Sequence, residues 1–215
     1  MKRYVGTSLP SISIAVIKRD ENGLTYKAKY SILVIGNLDP NWWDKTDCHS
    51  PVMSQIEMRI IISLAVYLNV KINSGDFSQA FCQSYLPDGE TYMIKPPKGC
   101  PIIPTNTYLL LRKKLYGLKR SPRHWYNKSC NTFTSIGLHR IPNSPCFFHG
   151  PLNSNETIIV VLYVDDFIIF DANWGPQDAS SPKLNTLVEL EMFKPRSISG
   201  YLIWFNGPLH WSSKR

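Results

Sequence analysis

The chain has 215 residues, with 24 Lys and Arg against 16 Asp and Glu, and a formal net charge of +8 at pH 7. Hydrophobic residues make up 43% of the chain, which excludes a disordered or collagen-like protein and allows one domain, or one domain and a fragment. The longest apolar run, residues 158–164, is too short to span a membrane, and five widely spaced cysteines without a Cys-x-x-Cys pair favour free thiols.

The positive charge is concentrated in one segment. Residues 91–155 contain ten Lys or Arg and no Asp or Glu, whereas the rest of the chain is slightly acidic. Such a local excess suits a polyanionic partner, and it indicates nucleic acid before a membrane surface. A solvated basic face is the alternative, and the charge count alone does not favour one over the other.

The first predicted elements form a β-hairpin. Residues 12–17 are rich in β-branched side chains, Asp20-Glu-Asn-Gly23 is typical of a turn, and residues 25–35 form the returning strand. The sequence Gly36-Asn-Leu-Asp-Pro40 then ends the hairpin.

A helix is predicted next, because Ser50 can cap it and Pro51 suits its first position. Its apolar face is expected to carry residues spaced by three and four, namely Met53, Ile56, Ile60, Leu64 and Leu68. Val70 and Ile72 then alternate with Lys71, as in a short strand that leads to Asp76.

Proline-rich residues 87–104 predict an extended, irregular segment. Ser121-Pro122 repeats the cap-and-proline signal and predicts a second helix, which Gly137 would end. Its inner side is expected to carry Trp125, Cys130, Phe133 and Ile136. A last hairpin is predicted from about residue 200 to 211, with its turn at Asn206-Gly207.

Asp165 and Asp166 are the most informative residues in the chain. They join two apolar strands within residues 158–170, where ionised carboxylates are costly unless a cation compensates them. Carboxylate oxygens suit Mg²⁺, and Asp76 at the end of its strand is the candidate third ligand. A solvated turn at 165–166 and a turn or cap role for Asp76 are the alternatives.

Several motifs, taken in order, resemble those of copia-type retrotransposon reverse transcriptases. The resemblance covers about residues 12–170 and includes Tyr26-Lys-Ala-Lys29, Asp76-Phe-Ser-Gln-Ala-Phe81, Tyr92-Met-Ile-Lys-Pro-Pro-Lys-Gly99, Leu115-Tyr-Gly-Leu-Lys-Arg-Ser-Pro-Arg-His-Trp-Tyr126 and Tyr163-Val-Asp-Asp166. It implies an α+β fold, with the fingers and palm of a right-hand polymerase. It also implies a transposon polyprotein that is associated with DNA integration.

The activity implied by the resemblance is that of an RNA-directed DNA polymerase, a nucleotidyltransferase. The partners would be an RNA or DNA template with its primer and deoxynucleoside triphosphates. Asp76, Asp165 and Asp166 match the catalytic residues that hold two Mg²⁺ ions, with Mn²⁺ as an alternative. Phe81 matches the aromatic residue that rejects a ribose 2′-hydroxyl.

The resemblance assigns further residues to substrate contacts. Those matching nucleotide-binding positions are Lys27, Lys29, Phe77, Phe81 and Tyr116. A solvated strand face is the alternative for the two lysines. Those matching nucleic-acid contacts are Lys119, Arg120 and Arg123, an interpretation that the phosphate affinity of a helix N-terminus supports.

Residues 171–215 resemble a partial ribonuclease H domain, with Asp171 at the position of its first catalytic aspartate. Since the other acids of that family are not matched, this fragment is expected not to cleave RNA. The primer-gripping hairpin and thumb that would follow the Asp165-Asp166 hairpin are missing between Phe170 and Asp171. The gap indicates an internal deletion or an error in gene prediction.

Residues 1–170 are therefore expected to be the fingers and palm. Without a thumb, weak polymerase activity, or none, is expected. The alternatives are a non-catalytic nucleic-acid-binding remnant of a transposon polyprotein and a product that never folds. Because no hydrophobic signal core follows Met1, we expect an intracellular protein, cytoplasmic (free or in virus-like particles) or nuclear, rather than a secreted one.

Overall fold

The computed structural model describes residues 8–67, 70–99, 107–151, 157–171, 193–196, 199–203 and 210–214. These residues combine β-sheets with a few helices, so the predicted α+β class is confirmed. No helix in these ranges has the length and apolar character needed to cross a bilayer, and none of their cysteines forms a disulfide. The chain divides into two compact units, Met1–Ser50 with Phe81–Trp125 and Pro51–Ala80 with Tyr126–Arg215.

Strands make up most of the regular structure in the described ranges. In chain order they are β1 (Leu9–Arg19), β2 (Thr25–Val34), β3 (Lys71–Phe77), β4 (Met93–Lys95), β5 (Leu109–Leu110), β6 (His139–Ile141), β7 (Ser144–Pro151), β8 (Thr157–Tyr163), β9 (Asp166–Asp171), β10 (Phe193–Arg196), β11 (Ser199–Ile203) and β12 (His210–Lys214). The α-helices are α1 (Lys45–Cys48), α2 (Gln55–Tyr67) and α3 (Ser121–Ser135). Single 3₁₀ turns occupy Gly36–Leu38 and Ala80–Gln83.

The first unit contains a four-stranded sheet in the order β2-β1-β4-β5. The predicted hairpin of β1 and β2 is confirmed, and the Asp20 carboxylate accepts backbone hydrogen bonds from Asn22 and Leu24 in its turn. Strand β4 lies parallel to the start of β1 on its other side. Apolar residues of this sheet and of the following loop form the core of the unit, which includes Leu9, Val34, Tyr92, Ile94 and Leu118.

The loop that contains Tyr116 contacts the end of β2 backbone to backbone. The Val34 N–H donates to the Tyr116 carbonyl at 2.8 Å. Gly117 has a φ of 96°, and a Cβ on it would lie 1.9 Å from the Val34 carbonyl oxygen. Only glycine permits both this backbone conformation and this approach, so Gly117 fixes the loop against β2.

The second unit contains a six-stranded sheet in the order β10-β3-β9-β8-β7-β6, with all neighbouring strands antiparallel. The predicted strand before Asp76 and the two strands of the aspartate hairpin are confirmed as β3, β8 and β9. Strands β11 and β12 pair as the predicted last hairpin, whose expected turn at 206–207 lies outside the described residues.

The N-terminus of α2 differs from the prediction. The helix begins at Gln55, and Ser54 rather than Ser50 caps it. The Glu57 N–H donates to Ser54 Oγ, while the Ser54 N–H donates to the Glu57 carboxylate at 2.8 Å. This reciprocal capping box satisfies two backbone donors, whereas a cap at Ser50 satisfies one, so the helix begins later.

The buried face of α2 also differs from the prediction. Ala65 is buried, and Met58 and Ile61 pack with it against the sheet. The expected inner residues Ile56 and Ile60 are 69% and 63% exposed. Met53 is buried as expected, although it precedes the helix, and Leu68 lies outside the described residues. The prediction was wrong for Ile56, Ile60 and Leu64, because α2 is apolar on more than one side and spacing alone cannot decide which side meets the sheet.

Helix α3 confirms its predicted start at Ser121, and Gly137, with a φ of 79°, follows its end. Two of the residues expected on its inner side, Trp125 and Phe133, are fully buried.

The six-stranded sheet has apolar contacts on both faces. On one face α2 packs near Phe147, Val161 and Phe170. On the other, Phe133 of α3 contacts Phe148 and Phe77, with ring centroids 4.7 and 6.3 Å apart. Because neighbouring residues of a strand point to opposite faces, Phe147 and Phe148 serve one face each.

Gly75 provides space for a ring at the centre of this sheet. It is opposite Phe167 across β3 and β9, and a Cβ on it would lie 2.1 Å from the Phe167 Cζ. The Phe167 ring therefore lies over the glycine and packs against Phe77, with ring centroids 5.2 Å apart. Since the contact requires a missing side chain at one position, it favours a single register of β3 against β9.

Gly75→Ala should therefore destabilise the protein by about 1–3 kcal/mol, the usual cost of overpacking a core. Urea unfolding measures this free energy. Ser74→Ala, one residue earlier on the same strand, is the control and should change stability little. Equal stabilities for Gly75→Ala and Ser74→Ala would contradict the close packing of Phe167.

Candidate active site

Two of the predicted metal ligands are paired across neighbouring strands. Asp76 near the end of β3 is directly opposite Asp166 at the start of β9. Residues directly opposite in an antiparallel pair share one face of the sheet, with Cβ atoms about 5 Å apart. Asp166 is exposed and Asp76 is half-buried, so this end of the face is open to solvent.

The third aspartate lies in the turn between β8 and β9. Tyr163 is opposite Asp166, which leaves Val164 and Asp165 as the two turn residues. The Phe77 N–H donates to the Asp165 carbonyl at 2.6 Å, so the turn is bonded to the end of β3. The backbone therefore brings Asp76, Asp165 and Asp166 to one end of the sheet.

Val164 adopts a backbone conformation that is rare for its type, with a φ of 55°. A β-branched residue in this region is strained, and strain of this kind occurs most often at functional sites. The strain is the local cost of a two-residue turn that places Asp165 and Asp166 next to each other.

The three carboxylates do not converge as they stand. Within the described ranges, no three His, Cys, Asp or Glu side chains lie close enough together to hold a metal ion. The backbone brings the aspartates to one end of the sheet, but their side chains do not form such a group. Because exposed and half-exposed side chains change rotamer rapidly, the backbone placement is the stable feature of this site.

Two residues predicted to bind nucleotide meet in the first unit. The rings of Phe81 and Tyr116 are 4.5 Å apart between centroids, and the Phe81 side chain is half-buried. Phe77, which the resemblance also assigns to nucleotide binding, is 2% exposed, and its described ring contacts are with Phe133 and Phe167.

The predicted basic residues of the hairpin share one face of the strand pair. Lys27 and Lys29 are exposed on β2, and Lys27 is directly opposite Lys18 on β1. Like charges in such a pair repel, so an anion near this face would stabilise the hairpin. The motif comparison missed Lys18. Counting residues back from the turn at 20–23 would pair it with Thr25, and it pairs with Lys27 instead because an irregularity between Lys18 and Arg19 shifts the register.

The residues predicted to contact nucleic acid make hydrogen bonds within the first unit. Lys119 Nζ donates to the Asp39 carbonyl at 2.9 Å, and Arg123 Nη1 donates to the His49 carbonyl at 3.5 Å. Arg120 forms an ion pair with Glu90. Their nucleic-acid contacts stay a prediction, and each requires these side chains to reach a phosphate from such positions.

Sequence reasoning missed the role of Glu90. This carboxylate also forms an ion pair with Lys114, whose side chain is fully buried. Burial lowers the pKa of Lys114, and the Glu90 charge opposes that effect. Two of the ten basic residues in 91–155 are thus paired with the acid that immediately precedes the segment. Its position just outside the acid-free run was the one available signal.

Asp171, the predicted ribonuclease H residue, ends β9, where its backbone pairs with Lys71 and Ile158. Its side chain lies outside the described part of the structure, and its assignment to a ribonuclease H remnant stays a prediction.

Comparison with known proteins identifies the family. The profile described as reverse transcriptase (RNA-dependent DNA polymerase) matches residues 13–202. The retrovirus-related Pol polyprotein from transposon TNT 1-94 of Nicotiana tabacum is 31% identical over 74% of this chain and 12% of its own length. The Pol polyprotein from transposon RE1 of Arabidopsis thaliana is 31% identical over 71% of this chain and 10% of its own length. The Ty1-BL Gag-Pol polyprotein of Saccharomyces cerevisiae is 28% identical over 75% of this chain and 8% of its own length.

The chain therefore belongs to the reverse transcriptase family, and its relatives are Pol polyproteins of copia-type retrotransposons. It spans about a tenth of the length of the curated relatives it matches. The matched range continues past Phe170, and the boundary expected between Phe170 and Asp171 stays a prediction.

The strained turn can be tested with two substitutions. Val164→Gly should be more stable than Val164→Ala by about 1 kcal/mol, because glycine accepts a positive φ without steric cost. Urea unfolding of both variants measures the difference. Val160 occupies an ordinary strand position of β8 and is the control. There the alanine variant should be more stable than the glycine variant. A Val164→Ala variant as stable as Val164→Gly would contradict the turn.

Proposed function

We propose that this chain is a fingers and palm region that transfers deoxynucleotides to a primer, with Asp76, Asp165 and Asp166 as its catalytic residues. The placement of Asp76 opposite Asp166, with Asp165 in the adjoining turn, is the observation that supports the proposal most directly. The second unit would supply the palm, since it contains all three aspartates.

The donor set fits Mg²⁺. All three candidate ligands are carboxylates, and hard oxygen donors of this kind bind Mg²⁺ through one or two carboxylates together with substrate phosphates. Partial exposure leaves room for water and phosphate ligands, since Asp166 is exposed and the other two are half-buried. Two ions held there would activate the primer hydroxyl and stabilise the leaving oxygen, and Mn²⁺ suits the same donors.

The chain's own residues would position the metal site, the nucleotide sugar and the triphosphate. Asp76 and Asp166 would hold negative charge on one open face, and the hydrogen bond between Phe77 and Asp165 would keep the turn beside β3. The reaction forms a bond between the primer 3′-oxygen and the nucleotide α-phosphorus, and pyrophosphate leaves. In this proposal Phe81 excludes the 2′-hydroxyl of a ribonucleotide, and Lys27 and Lys29 attract the triphosphate.

A non-catalytic nucleic-acid-binding remnant is the second candidate. The exposed lysines of the hairpin, with Lys18 directly opposite Lys27, favour a polyanionic partner whether or not the aspartates catalyse a reaction. Primer extension distinguishes the two candidates, because only the first requires the aspartates.

The metal proposal predicts a stability change. Mg²⁺ or Mn²⁺ should raise the Tm of the full chain by mass action, because the folded protein binds the ion and the unfolded chain does not. Asp165→Asn combined with Asp166→Asn should remove that rise. Asp88→Asn, which changes an exposed carboxylate outside the site, is the control and should keep it. An equal rise in all three proteins would remove the metal site from the account.

The activity prediction concerns the primer. We propose that the primer-gripping hairpin and thumb are absent after Phe170, so the 215 residues should incorporate a nucleotide poorly or not at all. A misplacement of about 1 Å can cost ~100-fold in rate. Binding to a primer–template should still weaken steeply with salt.

Inserting the missing elements should restore single-nucleotide incorporation, and the restored chain with Asp165→Asn and Asp166→Asn is its control. Robust incorporation by the 215 residues alone would contradict the need for a thumb.

A further inference from the structure

A buried charge cluster lies beside the loop that contains Tyr116. Glu90 forms ion pairs with both Lys114 and Arg120, and its carboxylate is 12% exposed. Lys114 is fully buried, and Glu90 is its ion-pair partner. Removing one member of such a cluster leaves an uncompensated charge in the protein interior. The three side chains are therefore held close to their present positions.

The cluster extends to a second buried carboxylate. Arg120 lies over the Trp43 ring, 4.4 Å from its centroid, and Trp43 Nε1 donates to Asp39 at 3.1 Å. The Tyr92 hydroxyl also donates to Asp39, at 3.3 Å. Burial, followed by the charge of Asp39, raises the pKa of Tyr92, which therefore stays a hydrogen-bond donor. Every connection is within the first unit.

Glu90 binds residues on both sides of Tyr116. Lys114 lies two residues before the tyrosine and Arg120 four residues after it, so one carboxylate holds both ends of the loop. The Ser121 hydroxyl closes the same loop by donating to the Leu115 carbonyl at 2.8 Å. With Gly117 packed against Val34, the loop has little freedom to move.

Backbone hydrogen bonds connect the same cluster to Phe81. The Lys114 N–H donates to the Ser84 carbonyl at 2.8 Å, and the Ser84 N–H donates to the Phe81 carbonyl at 3.2 Å. Lys114 is therefore the shared point of the two chain segments that carry Phe81 and Tyr116. A displacement of Lys114 would therefore act on both segments.

We propose that Glu90 is a positioning residue, which holds the Phe81 and Tyr116 rings in contact through Lys114 and Arg120 and thereby sets the discrimination between deoxyribose and ribose. The inference rests on the proposed function, because it assigns the two rings to the nucleotide sugar. Glu90 itself acts through other residues and needs no contact with substrate. The carboxylate charge is required, since an amide of the same shape leaves Lys114 and Arg120 without their ion-pair partner.

The first experiment measures the ring contact without any substrate. In the full chain, nuclear Overhauser effects between the Phe81 and Tyr116 ring protons should be strong in the native protein and absent in Glu90→Gln. Asp88→Asn, an exposed carboxylate two residues away, is the matched control and should keep them. Native signals in a folded Glu90→Gln protein would overturn the proposal.

A second variant decides the case if Glu90→Gln does not fold. Glu90→Leu combined with Lys114→Met removes both buried charges at similar volume, a change that is often neutral for stability. Arg120 then loses its anchor, so the ring signals should still be lost. A folded double variant that retains them would show that the rings are positioned without Glu90.

The functional measurement compares the affinities of dCTP and CTP in the presence of Mg²⁺. The native chain should favour dCTP by at least about tenfold, the usual scale of a steric distinction, and Glu90→Gln should reduce that preference toward equality. An unchanged ratio in a variant whose ring contact is lost would overturn the claim on sugar discrimination. If the native chain binds neither nucleotide, the proposed function fails, while the ring signals still decide whether Glu90 positions the pair.

Discussion

The candidate active site depends on the register of β3 against β9. The Phe167 ring occupies the space over Gly75, and this contact requires the glycine and the ring to be directly opposite. In that register Asp76 is opposite Asp166. A slip of one residue would turn Asp76 to the other face of the sheet, which the buried rings of Phe77 and Phe133 occupy. The aromatic side chains beneath the sheet thus determine where the carboxylates lie above it.

The charged side chains of the two units lie in different surroundings. The aspartates of the second unit lie at an open end of the sheet, where like charges favour a cation. In the first unit Glu90 and Asp39 are enclosed, and their partners Lys114, Arg120 and Trp43 satisfy them from within. The first arrangement suits binding of a ligand and the second suits rigidity. A charge count along the sequence does not distinguish them, because both contain the same residue types.

Local signals in the sequence predicted the hairpin of β1 and β2, the start of α3 and the aspartate turn, since turn residues, a cap and an apolar strand pair act over a few positions. Ser54 was missed as the cap of α2 because Ser50, followed by proline, gives the same signal four residues earlier. Most of the buried face was missed because the helix is apolar on more than one side. Lys114 and Arg120 were counted as basic surface, since their partner Glu90 is distant in sequence. Contacts between distant segments, such as the Phe167 ring over Gly75, cannot be predicted from the residues next to either position.

The central claim is that Asp76, Asp165 and Asp166 form one metal centre at the end of β3 and β9. Paramagnetic broadening of amide signals by substoichiometric Mn²⁺ tests it most directly, because the effect falls steeply with distance from the ion. The account predicts that the signals of residues 75–77 and 164–167 broaden first, while those of residues 71–72, at the opposite end of β3, stay sharp. Broadening that begins elsewhere, or that persists at residues 75–77 when Asp165 and Asp166 are both changed to Asn, would contradict it.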